Sequence, residues 1–147
     1  MAAEAEPHAL VYDSDLLFSV RIVETLNAVG YQTRTVRRLD AFTDALTAWR
    51  PRIAFVNMSS RGVEWRPALT AAQYAGAPIV AFGPHVDTEA QTEARHLGAA
   101  AVVANSQLAA DLPAIVERAL RRAERRVAAN GRVGRPDARE PNAGEGD

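Results

Sequence analysis

Short apolar runs alternate along the chain with longer stretches whose apolar residues recur every three or four positions. "HALVYD" (8–13) is the first run, and it ends in an acid. Leu16, Val20, Val23 and Leu26 follow at spacings of four, three and three, which predicts a helix burying that face. Asp13 or Ser14 is placed to cap this helix and Gly30 to stop it. "YQTRTV" (31–36) alternates and is β-branched, as a short strand would be. Leu39, Phe42, Leu46 and Trp49 predict a second helix, closed by Pro51. "IAFV" (53–56), "PIVAFG" (78–83) and "AAAVVA" (99–104) are unbroken apolar strands. Between them, "ALTAAQYAG" (68–76) reads as an Ala-rich helix, and Asp87 caps a helix that runs through Leu97 to a stop at Gly98. The stretch from Asp111 opens with a cap and an early proline, and it sets Leu112, Ile115, Val116, Ala119 and Leu120 on one side.

Five strands thus alternate with five helices. Strands that are apolar throughout are covered on both faces, which predicts a parallel sheet between two helical layers. With right-handed crossovers the expected fold is α/β: a doubly wound five-stranded parallel sheet in three α/β/α layers. In such a sheet the ligand crevice lies outside the carboxyl ends of the strands. The residues there are Asp13, Ser14 and Asp15 after the first strand, Asn57 after the third, Gly83 and Pro84 at the fourth, and Asn105 after the fifth.

The bulk composition narrows the class. With 147 residues, 48% hydrophobic and 24% charged, the chain has the make-up of one globular domain. The boundaries read as a flexible start (1–7), the folded domain (8–128) and a disordered Gly-, Pro- and charge-rich tail (129–147). There is no cysteine, which excludes disulfides, thiol nucleophiles and thiolate metal sites. No apolar run approaches the roughly 20 residues needed to span a bilayer. The opening "MAAEAEPH" carries acids where a secretory signal carries bases, so the expectation is a cytoplasmic protein without a membrane partner.

The order and spacing of these segments resemble the receiver domain of bacterial response regulators (the CheY-like, flavodoxin-like (βα)5 fold), over roughly residues 8–122. In that family the first strand ends in a run of acids followed by an amphipathic helix and Gly-Tyr; here the stretch is "LVYDSDLLFSVRIVETLNAVGY". The third strand ends in the phosphoacceptor Asp and a loop reading Pro-Gly-Met-Asp-Gly; here "IAFVNMSSRGVEW" puts Asn57 at the acceptor position, Gly62 at the loop glycine and Glu64 at the acid after it. The fourth strand ends in Thr or Ser, where this chain has Gly83. The fifth follows Gly-Ala, carries an aromatic and ends in Lys-Pro, where this chain has Val102 and then Asn105-Ser106.

The departures define the expected function. The resemblance implies a carboxylate that attacks phosphorus, and the Asn57 amide lacks the nucleophilic oxygen for an acyl phosphate. It implies Mg²⁺ held by two acids of the first strand end and the acceptor; Asp13 remains, Ser14 replaces the second acid, and Asn57 brings no charge to a hard cation. Asp15 could swing in as a substitute. The Lys that would neutralise phosphoryl oxygens cannot exist, because all basic residues here are Arg. Asn105 has hydrogen-bond donors but no charge, Gly83 lacks the hydroxyl, and Val102 replaces the aromatic rotor. The resemblance therefore implies a degenerate two-component receiver, a pseudo-receiver, with no phosphotransfer, no cofactor and no metal. Asn57 itself is either a loop amide bonded to nearby backbone or a residual ligand-binding group.

Such a domain would signal by protein–protein interaction in trans. The family uses the face of the fourth helix, fifth strand and fifth helix for dimers and targets, which here is about Asp87–Leu97, Ala101–Ala104 and Leu108–Leu120; a partner protein or a second copy would dock there. The alternatives are a small-ligand sensor using the strand-end crevice and an anion binder using the arginines. Arg118, Arg121, Arg122, Arg125 and Arg126 form one helical stripe, and residues 118–135 carry seven Arg against Glu124 alone. This stripe is either a solvated helix end that offsets the dipole, or a surface for nucleic acid, anionic lipid or an acidic partner. Against nucleic acid, no aromatic accompanies the stripe and residues 136–147 are acidic. Trp65 is expected in the loop after the third strand, as an exposed anchor or as a cover for that loop. His8, His85 and His96 lie on three segments without metal spacing, His8 and His96 as surface residues. No G-x-G-x-x-G, P-loop or G-x-S-x-G motif occurs, so no enzyme activity is expected.

Overall fold

The computed structural model describes residues 6–84 and 87–133. Its elements run β1 (His8–Tyr12), α1 (Leu16–Ala28), β2 (Gln32–Val36), α2 (Leu39–Ala48), β3 (Ile53–Asn57), α3 (Trp65–Ala75), β4 (Ile79–Gly83), α4 (Thr88–His96), β5 (Ala101–Ala104) and α5 (Asn105–Val133). The strands form one parallel sheet in the order β2-β1-β3-β4-β5. The chain winds outward first one way and then the other from β1, so the switch point lies between β1 and β3. That is where a doubly wound sheet opens its crevice.

The sheet separates two apolar layers. Leu10, Tyr12, Ala54, Val56, Ile79 and Ala81 face α2, α3 and α4, meeting Phe42, Leu46, Trp65 and Leu69. Ala9, Val11, Ile53, Phe55, Val80 and Phe82 face α1 and α5, meeting Ile22, Leu26, Leu108, Leu112 and Ile115. The central strands β3 and β4 are buried along their whole length. That is why they read as continuous apolar runs and not as alternation. β2, on the sheet edge, keeps the half-buried pattern its alternation predicts.

The structure corrects several local expectations. α1 buries Ser19, Ile22 and Leu26, with Phe18 packed against the same core. Leu16 (52% exposed) and Val20 (51%) point outward, beside Leu17 at 85%. The cap of α1 is Asp15, whose side chain accepts from the Phe18 N–H at 3.2 Å, and not Asp13 or Ser14. Trp65 is not in the loop but opens α3; it is buried in the core, with the Arg66 guanidinium 4.2 Å from its ring centre. Having no exposed ring, it offers no anchor to a partner. His8 is half-buried, stacked on Trp49 at 4.0 Å and hydrogen-bonded to its carbonyl.

α5 carries a kink at Asp111 (φ −131°, ψ 27°), and Pro113 falls in the first turn of the segment after it, where a missing N–H is tolerated. The helix continues to Val133, past the boundary expected at 128. The tail beyond it, the first five residues and His85 lie outside the described residues. Among the described residues no helix is long and apolar enough to cross a membrane.

Candidate functional site

The ends of β1 and β3 bring Asp13 and Asn57 together at the switch point. Both are buried, at 0% and 3% exposure. Asn57 Nδ2 donates to Asp13 Oδ1 at 3.1 Å, and Asn57 Oδ1 accepts from the Ser59 N–H at 2.9 Å. A flipped amide would set oxygen against carboxylate and NH2 against N–H, so the two neighbours fix its orientation. The same Asp13 oxygen accepts from Ser60 Oγ at 2.8 Å and from the Asp15 N–H at 2.8 Å. Ser60 is tied in turn to Ser14: its Oγ accepts from the Ser14 N–H at 3.1 Å and lies 2.7 Å from Ser14 Oγ, which also reaches the Arg61 carbonyl at 2.7 Å.

Asp13 Oδ1 thus takes three neutral donors, while Oδ2 is buried without a partner. Burial pushes the Asp13 carboxyl above its ordinary range. Hydrogen bonds from the Asp15 N–H, Ser60 and Asn57 oppose the rise without cancelling it, and the Asp15 charge adds to it. When the group is neutral, Oδ2 is the oxygen free to carry the proton.

The remaining candidates take other roles. Asp15 is exposed and occupied as the α1 cap; its side chain does not join the pocket. Gly83 ends β4, one residue after Phe82, the register partner of Asn57. Asn105 opens α5 directly after β5, and its Oδ1 is buried without a partner. Val102 packs into the apolar layer under α4. Gly62 holds a left-handed conformation (φ 78°), as its loop position requires. Ser60 was not among the expected site residues. Its signal was only a hydroxyl in a polar loop, and the contact to Asp13 needs the loop's three-dimensional path.

The divalent cation that the resemblance implies does not fit this donor set. Magnesium takes charged oxygens in near-octahedral array. Here the Asn57 oxygen is committed to a backbone N–H, its NH2 group faces the carboxylate, and Ser14 and Ser60 are neutral. Among the described residues no group of three His, Asp or Glu converges on a common point.

A second feature lies on the far edge of the sheet. Arg95 of α4 and Arg118, Arg121, Arg122 and Arg125 of α5 flank a groove of about 580 Å³ whose floor is Ala100–Val103. Arg126 turns away from it toward the Gly98 carbonyl.

Comparison with solved structures places the fold among receiver domains. A CheY-like response regulator receiver domain protein from Methanospirillum hungatei JF-1 is 15% identical, with 83% of this chain and 99% of that one covered, at a TM-score of 0.72. The N-terminal domain of a response regulator/sensory box/GGDEF 3-domain protein from Carboxydothermus hydrogenoformans is 24% identical over 83% and 99%, at 0.69. A response regulator protein from Burkholderia pseudomallei, solved with a phosphorylated aspartic acid, calcium ion and citrate, is 17% identical over 89% and 76%, at 0.70. No family model and no curated protein matches the sequence.

Proposed function

We propose that this chain is a receiver-like signalling module that works without phosphotransfer and acts by contact with a partner protein. One observation carries the reading: Asp13 Oδ1 is satisfied by Asn57, Ser60 and the Asp15 N–H, all uncharged, where a phosphorylatable receiver needs charged oxygens around a cation. A hydrogen-bonded pocket of this kind holds β1, β3 and the β3–α3 loop in one arrangement. It supplies neither a nucleophile for phosphorus nor a cation for the phosphoryl oxygens.

With the pocket closed on itself, the surface carries the function. The α4–β5–α5 face is the contact surface we infer, and its charge selects the partner. Two copies joined through this face would set five guanidiniums against five, because an isologous contact repeats the same patch. A different, acidic surface fits better than a second copy.

Incubation of the full chain with acetyl phosphate and Mg²⁺, followed by intact-mass measurement, tests the reading. An unchanged mass is expected. A hydroxylamine-sensitive phosphoryl adduct on any Asp would overturn it.

A further inference from the structure

The groove between α4 and α5 has the make-up of an anion site. Its five arginines come from two elements, and among the described residues no carboxylate lines it. Arg121 meets Glu117 at 3.5 Å, a loose pair with both partners more than half exposed. Such pairs contribute little. Glu93, two residues before Arg95 on α4, is taken by Arg66 of α3 through two bonds of 2.6 and 3.0 Å. Relief of the helix dipole does not account for the α5 arginines. That effect fades within the last turn, and Arg118–Arg125 stand two or more turns before the end of a helix that reaches Val133.

The volume falls within the range of small-molecule sites, which run from roughly 300 to 1,000 Å³. Guanidinium forks match phosphate oxygens two at a time. A monoanion leaves most of the arginines uncompensated. An acidic peptide supplies one charge per residue along some 3.3 Å of chain, and so spreads its charge beyond the groove. Several phosphates on one small molecule place three or four charges within it, and the outer edge of β5 leaves backbone N–H and C=O groups there for the body of the molecule to hydrogen-bond.

We propose that this groove binds a small molecule bearing several linked phosphates, of the nucleoside polyphosphate class. The proposal does not rest on the pocket at Asn57. An occupied groove would cover part of the α4–β5–α5 face, so ligand and partner would compete for it.

The test titrates the full chain with inorganic tripolyphosphate, ATP, GTP and a poly-glutamate peptide at physiological ionic strength, read by calorimetry. Saturable one-to-one binding is expected for tripolyphosphate and tighter binding for at least one nucleotide. Arg118→Ala and Arg122→Ala should each weaken it about tenfold, the scale of a lost charge-assisted bond. Arg37→Ala, on the opposite edge of the sheet, should leave it unchanged. Circular dichroism confirms that each variant folds. The proposal fails if no phosphate probe saturates, if Arg37→Ala weakens binding as much as the groove variants do, or if the peptide binds more tightly than tripolyphosphate.

Discussion

Ser60 Oγ lies 2.8 Å from Asp13 Oδ1, joining residues 47 positions apart across the top of the sheet. Together with the Asn57 amide it puts uncharged donors on the oxygen that a metal-dependent receiver would turn toward a cation. The acid of the first strand is therefore a structural acceptor, and its removal has consequences that can be measured.

Asp13→Ala should destabilise the fold by about 2–3 kcal/mol. It leaves the Asn57 amide, the Ser60 hydroxyl and the Asp15 N–H without their shared acceptor in a buried site. Urea unfolding measures this. Asp13→Asn keeps an acceptor oxygen and should cost clearly less.

The same residue gives a pH signature. Burial raises the Asp13 carboxyl above its unfolded value, so the folded state favours the proton. The stabilisation is full below the ordinary carboxylate range and is lost as pH rises through the elevated value. Asp13→Asn removes this descent. The stability of the native chain relative to the variant should therefore fall as pH rises through and above the ordinary carboxylate range. A difference that grows in the opposite sense would contradict the assignment.

Asn57→Asp should not create a phosphorylatable site. It sets a second carboxylate about 3 Å from Asp13 in a buried site, where like charges repel. A loss of about 1–3 kcal/mol is expected at neutral pH, relieved on acidification as one of the pair takes a proton. Millimolar Mg²⁺ should recover stability in this variant and leave the native chain unaffected, and thermal melts with and without the cation show both.

α1 shows what the sequence pattern could and could not reveal. Its three–four spacing correctly marks a helix, but the chosen apolar face is rotated from the buried one. Leu16, Leu17 and Val20 are exposed, while Ser19, Ile22 and Leu26 go inside. Apolar residues occur on both sides of this helix, so periodicity alone could not select between them. Leu17→Ser should change stability by less than about 0.5 kcal/mol, whereas Ile22→Ala should cost about 2–4. In α2 and α5 the competing face is polar, and there Phe42, Leu46, Ile115 and Val116 fall in the core as their spacing indicates. The doubly wound parallel sheet was legible because strand–helix alternation leaves few topologies. The positions of Asp13, Ser14 and Asn57 at strand ends followed from it. Ser60 and the capping role of Asp15 did not, since both depend on how a loop folds back over the sheet. The groove was half visible: spacing put the α5 arginines in one stripe, but Arg95 joins them only through the packing of α4 beside β5.

Gly98 stands where α4 turns into β5, at φ 110°. A Cβ there would come within 2.6 Å of Gln73 Oε1. Gly98→Ala should therefore cost about 1–3 kcal/mol through backbone strain and this clash together. Adding Gln73→Ala should relieve the clash with the end of that side chain and leave the strain and a tight Cβ contact of 3.1 Å, a non-additivity that a double-mutant cycle reads directly.

The central claim is that the strand-end pocket is closed by neutral hydrogen bonds and takes no divalent cation. Two backbone amides report on it: the Asp15 N–H, bonded to Asp13, and the Ser59 N–H, bonded to Asn57. Titration of the native chain with Mg²⁺ into the millimolar range, followed by the NMR signals of these two amides, should move neither beyond the drift of distant residues. A saturable shift of both would contradict the account.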